Sequence, residues 1–157
     1  MAKEHHYKID MIWTGNLGEG TKTYRGYERS HEYRIAGKPV LAGSSDPAFR
    51  GDPSKHNPED LMVCSLSSCH MLTYLHLCAL AGVVVIAYED HATGTMAELP
   101  NNGGHFTEVV LHPVVTVTDV SMIEKANSLH HQANELCFVA ASVNFPVKHE
   151  PVCKAAE

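Results

Sequence analysis

The sequence predicts an α+β fold, and three stretches carry that prediction. Residues 57–82 (NPEDLMVCSLSSCHMLTYLHLCALAG) open with a helix start signal and stay apolar on every side for about six turns. Residues 6–14 (HYKIDMIWT) alternate as a strand does, with Tyr7, Ile9, Met11 and Trp13 on one face. Residues 83–118 then read as a β-hairpin, followed by a second helical periodicity.

Taken in order, the chain begins with a β-meander over about 6–35. Its strands are 6–14, 21–27 and 32–35, parted by Gly15, Asn16, Gly18 and Gly20 and by a charged bend at Glu28-Arg29-Ser30. Residues 41–56 (LAGSSDPAFRGDPSKH) form a loop, at a length where loops are usually functional or disordered. The central helix follows over about 58–81. Asn57 caps it, Pro58 fits the first helical position, and Glu59 and Asp60 sit beside the positive end of the helix dipole. Gly82 closes it. No Lys, Arg, Asp or Glu falls between Leu61 and Ala81, so the helix is expected to be buried on most of its circumference.

The hairpin at about 83–118 turns at Pro100-Asn101-Asn102-Gly103-Gly104, and Pro113 marks an edge or a bulge in its second strand. Ser121 and Glu124 have capping-box spacing. Met122, Ala126, Leu129, Ala133, Leu136, Cys137 and Ala140 then mark one apolar face of a second helix over about 121–141. A closing strand at about 142–152 completes one expected domain, 1–157.

Composition narrows the function. The chain of 157 residues is 44% hydrophobic and 19% charged, which is the balance of a globular protein. A net charge of −6 argues against a nucleic-acid partner. Residues 1–10 (MAKEHHYKID) lack the apolar core of a signal peptide, and five cysteines then point to a reducing, cytoplasmic setting. The uncharged stretch Leu61–Tyr88 is long enough to span a bilayer. It is interrupted by Ser65, Ser67, Ser68, His70, Thr73 and His76, and turns β-branched at Val83, so it reads as a buried helix followed by a strand, with no membrane partner.

Free cysteine usually behaves as a small buried hydrophobe. Context differs among the five: Cys69 lies in the less apolar Ser-Ser-Cys-His segment, and Cys137 lies on the core face of the second helix. Side-by-side packing of the two helices would let Cys69 and Cys137 approach within the ~7 Å Cα separation that a disulfide needs. By itself, Glu59 reads as a first-turn acid and Arg50 as a surface loop residue. The twelve histidines match no metal spacing, so no metal is expected. From the residues alone the chain is an α+β protein with a candidate redox thiol pair.

The segment NPEDLMVCSLSSC resembles the helix-opening signature of the OsmC/Ohr family of thiol peroxidases. In that family the peroxidatic cysteine lies ten residues after the Glu of Asn-Pro-Glu, the spacing of Cys69 from Glu59 here. A second cysteine lies on the second long helix, and Cys137, 68 residues after Cys69, matches it in place. The element order is similar along nearly the whole chain. The resemblance implies an OsmC-like fold of antiparallel sheets packed around a long buried central helix, in an intertwined homodimer.

It also implies a catalytic set of Cys69, Cys137, Glu59 and an arginine. Arg50 resembles the family placement to within one residue, with Arg25 and Arg29 as further candidates. Phe138 stands where the family often has Pro. The implied cycle oxidises Cys69 to a sulfenic acid, closes a Cys69–Cys137 disulfide, and reopens it with an external dithiol such as a dihydrolipoyl group. No bound cofactor is implied. Two other readings use the same fold: a small-molecule-binding or stress-associated dimer without turnover, and a thiol redox sensor.

Overall fold

Alternation along the first segment yields a short strand. β1 (Asp10–Trp13) pairs antiparallel with β2 (His31–Arg34), which pairs antiparallel with β3 (Leu41–Gly43). Between β1 and β2 the backbone is held by Thr14 N–H to Ser30 O at 2.9 Å and Glu28 N–H to Gly15 O at 2.9 Å. Gly15 is required there, because a Cβ would collide with the Glu28 carbonyl oxygen. The expected strand over 21–27 is instead a run of turns. Its tyrosines serve Arg29, whose guanidinium lies over the Tyr24 and Tyr27 rings and donates to the Tyr27 and Tyr24 carbonyls at 2.6 and 2.7 Å. Wrapping a cation in this way outweighs a weak alternation with no strand to pair against.

The expected loop 41–56 holds β3 and a short 3-10 turn, Pro47–Phe49, and is tightly built. Asp46 caps the turn through Ala48 N–H at 2.7 Å, and Ser44 N–H donates to His56 O at 2.9 Å. Helix α1 (Pro58–Leu80) begins where the sequence indicates, with Asn57 Oδ1 accepting from Asp60 N–H at 2.7 Å. It ends at Gly82, whose φ of 72° is left-handed, with Val83 N–H returning to Cys78 O at 2.9 Å.

This computed structural model describes residues 2–157, which form two compact units, one reaching to Leu61 and the other Met62–Glu157. In the second unit the hairpin is bent in the middle of both arms. β4 (Val85–Asp90) pairs with β7 (Pro113–Val117), and β5 (Thr93–Glu98) with β6 (Gly104–Leu111), all antiparallel. The break falls at His112, whose N–H donates to Asp90 Oδ1 at 2.7 Å, and Pro113 starts the new strand.

Helix α2 (Ile123–Leu136) is shorter than expected. A 3-10 turn, Val120–Met122, precedes it, capped by Asp119 rather than Ser121. The expected closing strand is two strands, β8 (Val147–His149) and β9 (Val152–Ala155), which add in parallel to β6 and β7. The expected all-antiparallel pairing is thus corrected at these two edges.

The core of this unit has two parts. Tyr74, Leu77, Cys78, Val83, Val115, Val117, Ala126, Leu129 and Ala133 form one, and Leu66, Val109 and Leu111 the other. Within the chain, α1 is buried along one stripe only: Leu66, His70, Tyr74, Leu77 and Cys78. Leu72 and Leu80 on its other faces are exposed, so burial around most of the circumference is not achieved by one chain.

Candidate active site

The same α1 stripe that fills the core also presents Cys69. This cysteine is half-buried, on the border between the packed face and the free face. Cys137 follows the last residue of α2 and is 1% exposed. Its backbone leaves helical geometry there, with φ −72° and ψ 112°. The next turn folds back over it, so that Ala141 N–H reaches Cys137 O at 3.0 Å and Ala140 N–H reaches Cys137 Sγ at 3.5 Å.

The two thiols face each other, both in the reduced state. Burial, and then a hydrogen bond to the Cys69 sulfur, push the Cys137 thiol up to about 11. The Ala140 N–H acts weakly in the opposite direction. Cys137 therefore keeps its proton at neutral pH and offers it to Cys69. The pair is asymmetric: Cys137 is the deeper, protonated donor, and Cys69 is only half-buried. Phe138, the next residue, is 83% exposed beside this pair.

Arg50 and Glu59 belong to the unit Met1–Leu61. Arg50 closes the 3-10 turn in the left-handed conformation, at φ 65°, an uncommon one for a non-glycine residue. With Arg25 and Arg29 it lines a cleft of about 440 Å³ that also includes Ser30, Ser44 and Asp52. Among the described residues, the Arg50 guanidinium and the Glu59 carboxylate have neither hydrogen-bond nor ion-pair partners. Glu59 is half-buried and acts on Tyr33, whose hydroxyl is pushed up first by burial and then by this carboxylate. Of the three candidate arginines, Arg29 is consumed by its own carbonyl and tyrosine contacts, whereas Arg25 and Arg50 are exposed and free to bind.

The structure thus brings Cys69 to Cys137, and Arg50 to Arg25 and Arg29, and it does not pair Arg50 with Glu59. Cys64 is exposed and Cys78 buried in the core cluster. No group of three or more His, Cys, Asp or Glu among the described residues is arranged to hold a metal. Two residues along the α1–α2 seam carried no sequence signal of their own. His70 and His130 are both fully buried and bond to each other at 3.0 Å. The only hint was that His70 interrupts an apolar helix on the same face as Tyr74.

Comparison with known proteins agrees with this architecture. A family profile described as OsmC-like protein matches residues 51–151. An OsmC-like protein of unknown function from Vibrio cholerae is 29% identical, with a TM-score of 0.84 over 95% of this chain and 100% of that one. An organic hydroperoxide resistance protein from Elizabethkingia anophelis shares the fold at 18% identity, with a TM-score of 0.68 over 98% and 100% of the two chains. Another from Legionella pneumophila does so at 15% identity, with a TM-score of 0.69 over 98% and 99%. No functionally curated protein matches. With more than half its length matched by the profile and its whole architecture shared, the chain belongs to the OsmC-like family.

Proposed function

We propose that this protein is a cysteine-based peroxidase that reduces organic hydroperoxides, and hydrogen peroxide as a smaller substrate. The observation that supports it is the asymmetric thiol pair, with Cys137 buried and protonated against a half-buried Cys69. The Cys69 thiolate attacks the distal peroxide oxygen, the O–O bond breaks, and the departing alkoxide takes a proton to leave as alcohol. Cys69 becomes a sulfenic acid. The Cys137 sulfur then attacks it, forming the disulfide and releasing water. An external dithiol, of the dihydrolipoyl type, returns both sulfurs to thiols and is itself oxidised to a disulfide. No bound cofactor takes part.

Arg50 is the guanidinium assigned to stabilise the Cys69 thiolate and the departing oxygen, and Glu59 the carboxylate that orients it. A homodimer is proposed from the apolar faces of α1 that one chain leaves uncovered, with the cytoplasm as its setting.

The test is one equivalent of cumene hydroperoxide added to the reduced protein. Free thiols should fall from five to three, with peptide mapping linking Cys69 to Cys137. Cys69→Ser should keep all of its remaining thiols. Survival of the thiols, or oxidation of another pair, would sink the proposal. The free Arg50 and Glu59 side chains favour one rival, a small-molecule-binding dimer without turnover. That reading is rejected if Arg50→Ala loses reactivity towards peroxide.

A further inference from the structure

The seam between α1 and α2 contains a second layer that the thiol chemistry does not use. His70 Nε2 and His130 Nδ1 are 3.0 Å apart, with ring planes 5° from parallel and centroids 5.3 Å apart. Tyr74 stacks on His130 at 3.9 Å. His149 from β8 lies 5.7 Å from the His70 ring and 6.2 Å from the His130 ring. His70 and His130 are 1% and 0% exposed, and their outer nitrogens, His70 Nδ1 and His130 Nε2, have no partner.

The same two helices carry both layers. His70 follows Cys69 directly on α1, and His130 lies seven residues, about two turns, before Cys137. A directional bond between two rigid rings fixes how far α2 is slid and rotated against α1. That offset is what sets the two sulfurs opposite each other.

We infer that the His70–His130 pair is a pH-sensitive clamp that positions Cys137 against Cys69, so that mild acid slows closure of the disulfide. The bond needs one ring N–H and one bare ring nitrogen, and the layer offers little to balance an added proton. From α1 it is faced by Tyr74. From β4 come Tyr88, whose hydroxyl is held protonated by burial, and Asp90. Asp90 favours the charge on His70, but its oxygens already accept from Ser67 Oγ and from His112 N–H. From β8, His149 repels it, and His131 on α2 acts on His149 in the same direction.

Burial first, and the neighbouring imidazole next, hold His70 down to about 4 and His130 down to about 3. When the helices part, the rings meet water and take protons at the ordinary value of 6.5. Below that value the parted state binds protons that the clamped state refuses. At ~pH 5 the balance moves towards parting by about thirty-fold for each histidine.

The consequence for turnover rests on the peroxidase reading, but the test does not. In a Cys64→Ser/Cys153→Ser chain, 4,4′-dithiodipyridine forms a mixed disulfide with Cys69 and releases one 4-thiopyridone. The Cys137 sulfur then attacks the Cys69 sulfur and loses its proton to solvent. A second thiopyridone leaves, and the probe has taken the two electrons lost by the thiols. The rate of that second release is followed from about pH 7.5 to about pH 5. The comparison is with His70→Gln/His130→Asn, whose amides place a donor and an acceptor near the same points and do not titrate.

Loss of the Cys137 thiolate slows both chains alike and cancels in their ratio. The native pair should slow roughly tenfold more than the amide pair. Equal slopes overturn the clamp. Should the double variant not fold, hydrogen exchange over residues 127–138 of the native chain replaces it. Corrected for intrinsic rates, protection should drop by about tenfold over the same range, and unchanged protection overturns the clamp. A chain that closes its disulfide with this pH gap and yet leaves peroxide untouched keeps the clamp and loses only the peroxidase reading.

Discussion

Cys69 and Cys137 are one thiol pair on the α1 side of the unit Met62–Glu157; Cys78 and Cys153 are a second. Cys153 packs against the core cluster that contains Cys78, and a charge on its sulfur would bear on that of Cys78. Both pairs join α1 to a later element. They differ in what surrounds them. Cys78 is 1% exposed among Leu77, Val115 and Ala126, and burial pushes its thiol up, as it does that of Cys153. In the first pair Cys137 is buried and Cys69 half-buried. On the peroxidase reading, what sets the first pair apart is a half-buried thiol beside a buried, protonated one.

That contrast breaks most sharply at Cys69. Cys69→Ser should lower peroxide consumption roughly a thousandfold, while Cys78→Ala and Cys153→Ala stay within about twofold, in a stopped-flow assay at equal folded protein. Comparable losses in both sets would erase the distinction.

Arg50→Ala should slow Cys69 oxidation by about a hundredfold with little change in melting temperature. Arg29→Ala should do the reverse. Its guanidinium ties two carbonyls and two tyrosine rings, so about 1–3 kcal/mol of stability goes with it, read by urea unfolding. If Arg29→Ala instead removes activity without loss of stability, the roles are exchanged.

Cys137→Ser should still consume the first equivalent of peroxide and then stall as a dimedone-reactive sulfenic acid. Multiple turnover should fall about tenfold or more, with sulfinate appearing by intact mass under excess peroxide. The same substitution at Cys153 should produce neither species.

Acid should distinguish the two pairs by their neighbours. The folded values of His70 and His130 lie below the unfolded value of 6.5, so the unfolded chain binds more protons once pH drops below it. Their contribution is complete above that value and is lost progressively as pH falls towards about 4. The melting temperature should therefore decline by several degrees over this window, and the decline should be smaller in His130→Asn. The smallest effect is expected at Cys78→Ser, about 1–2 kcal/mol from a hydroxyl placed in an apolar cluster, with no pH dependence of its own.

What could be read from the sequence follows how local each cause is. Asn57, Pro58 and Gly82 bound α1 through hydrogen bonds a few residues long, and they placed it within a residue. Thr21–Tyr27 misled because its alternation is overruled by Arg29, a residue just beyond it. Pro113 signalled an interruption, but not that the two ends of the hairpin, on either side of the bend, serve different sheets. The thiol spacing was legible through a resemblance, since nothing in Cys137 itself says which helix it meets. His70 and His130 are sixty residues apart. Each alone is one polar residue on a helix, and only packing turns them into a pair.

The parallel strands β8 and β9 also bear on how the molecule comes into being. Val147 pairs with Val109, and Ala155 with Val117, each partner 38 positions further along the chain. Both sheets of the second unit therefore acquire their third strand from the last segment of that unit to be synthesised. Until residue 155 is available, β6 and β7 each present an open hydrogen-bonding edge rich in valine, a template for pairing with another chain. Contacts this distant in sequence close slowly. The interval between translation of β7 and arrival of β9 is thus the period of greatest exposure to aggregation, and a nascent-chain chaperone acting on residues 104–117 would have its largest effect then.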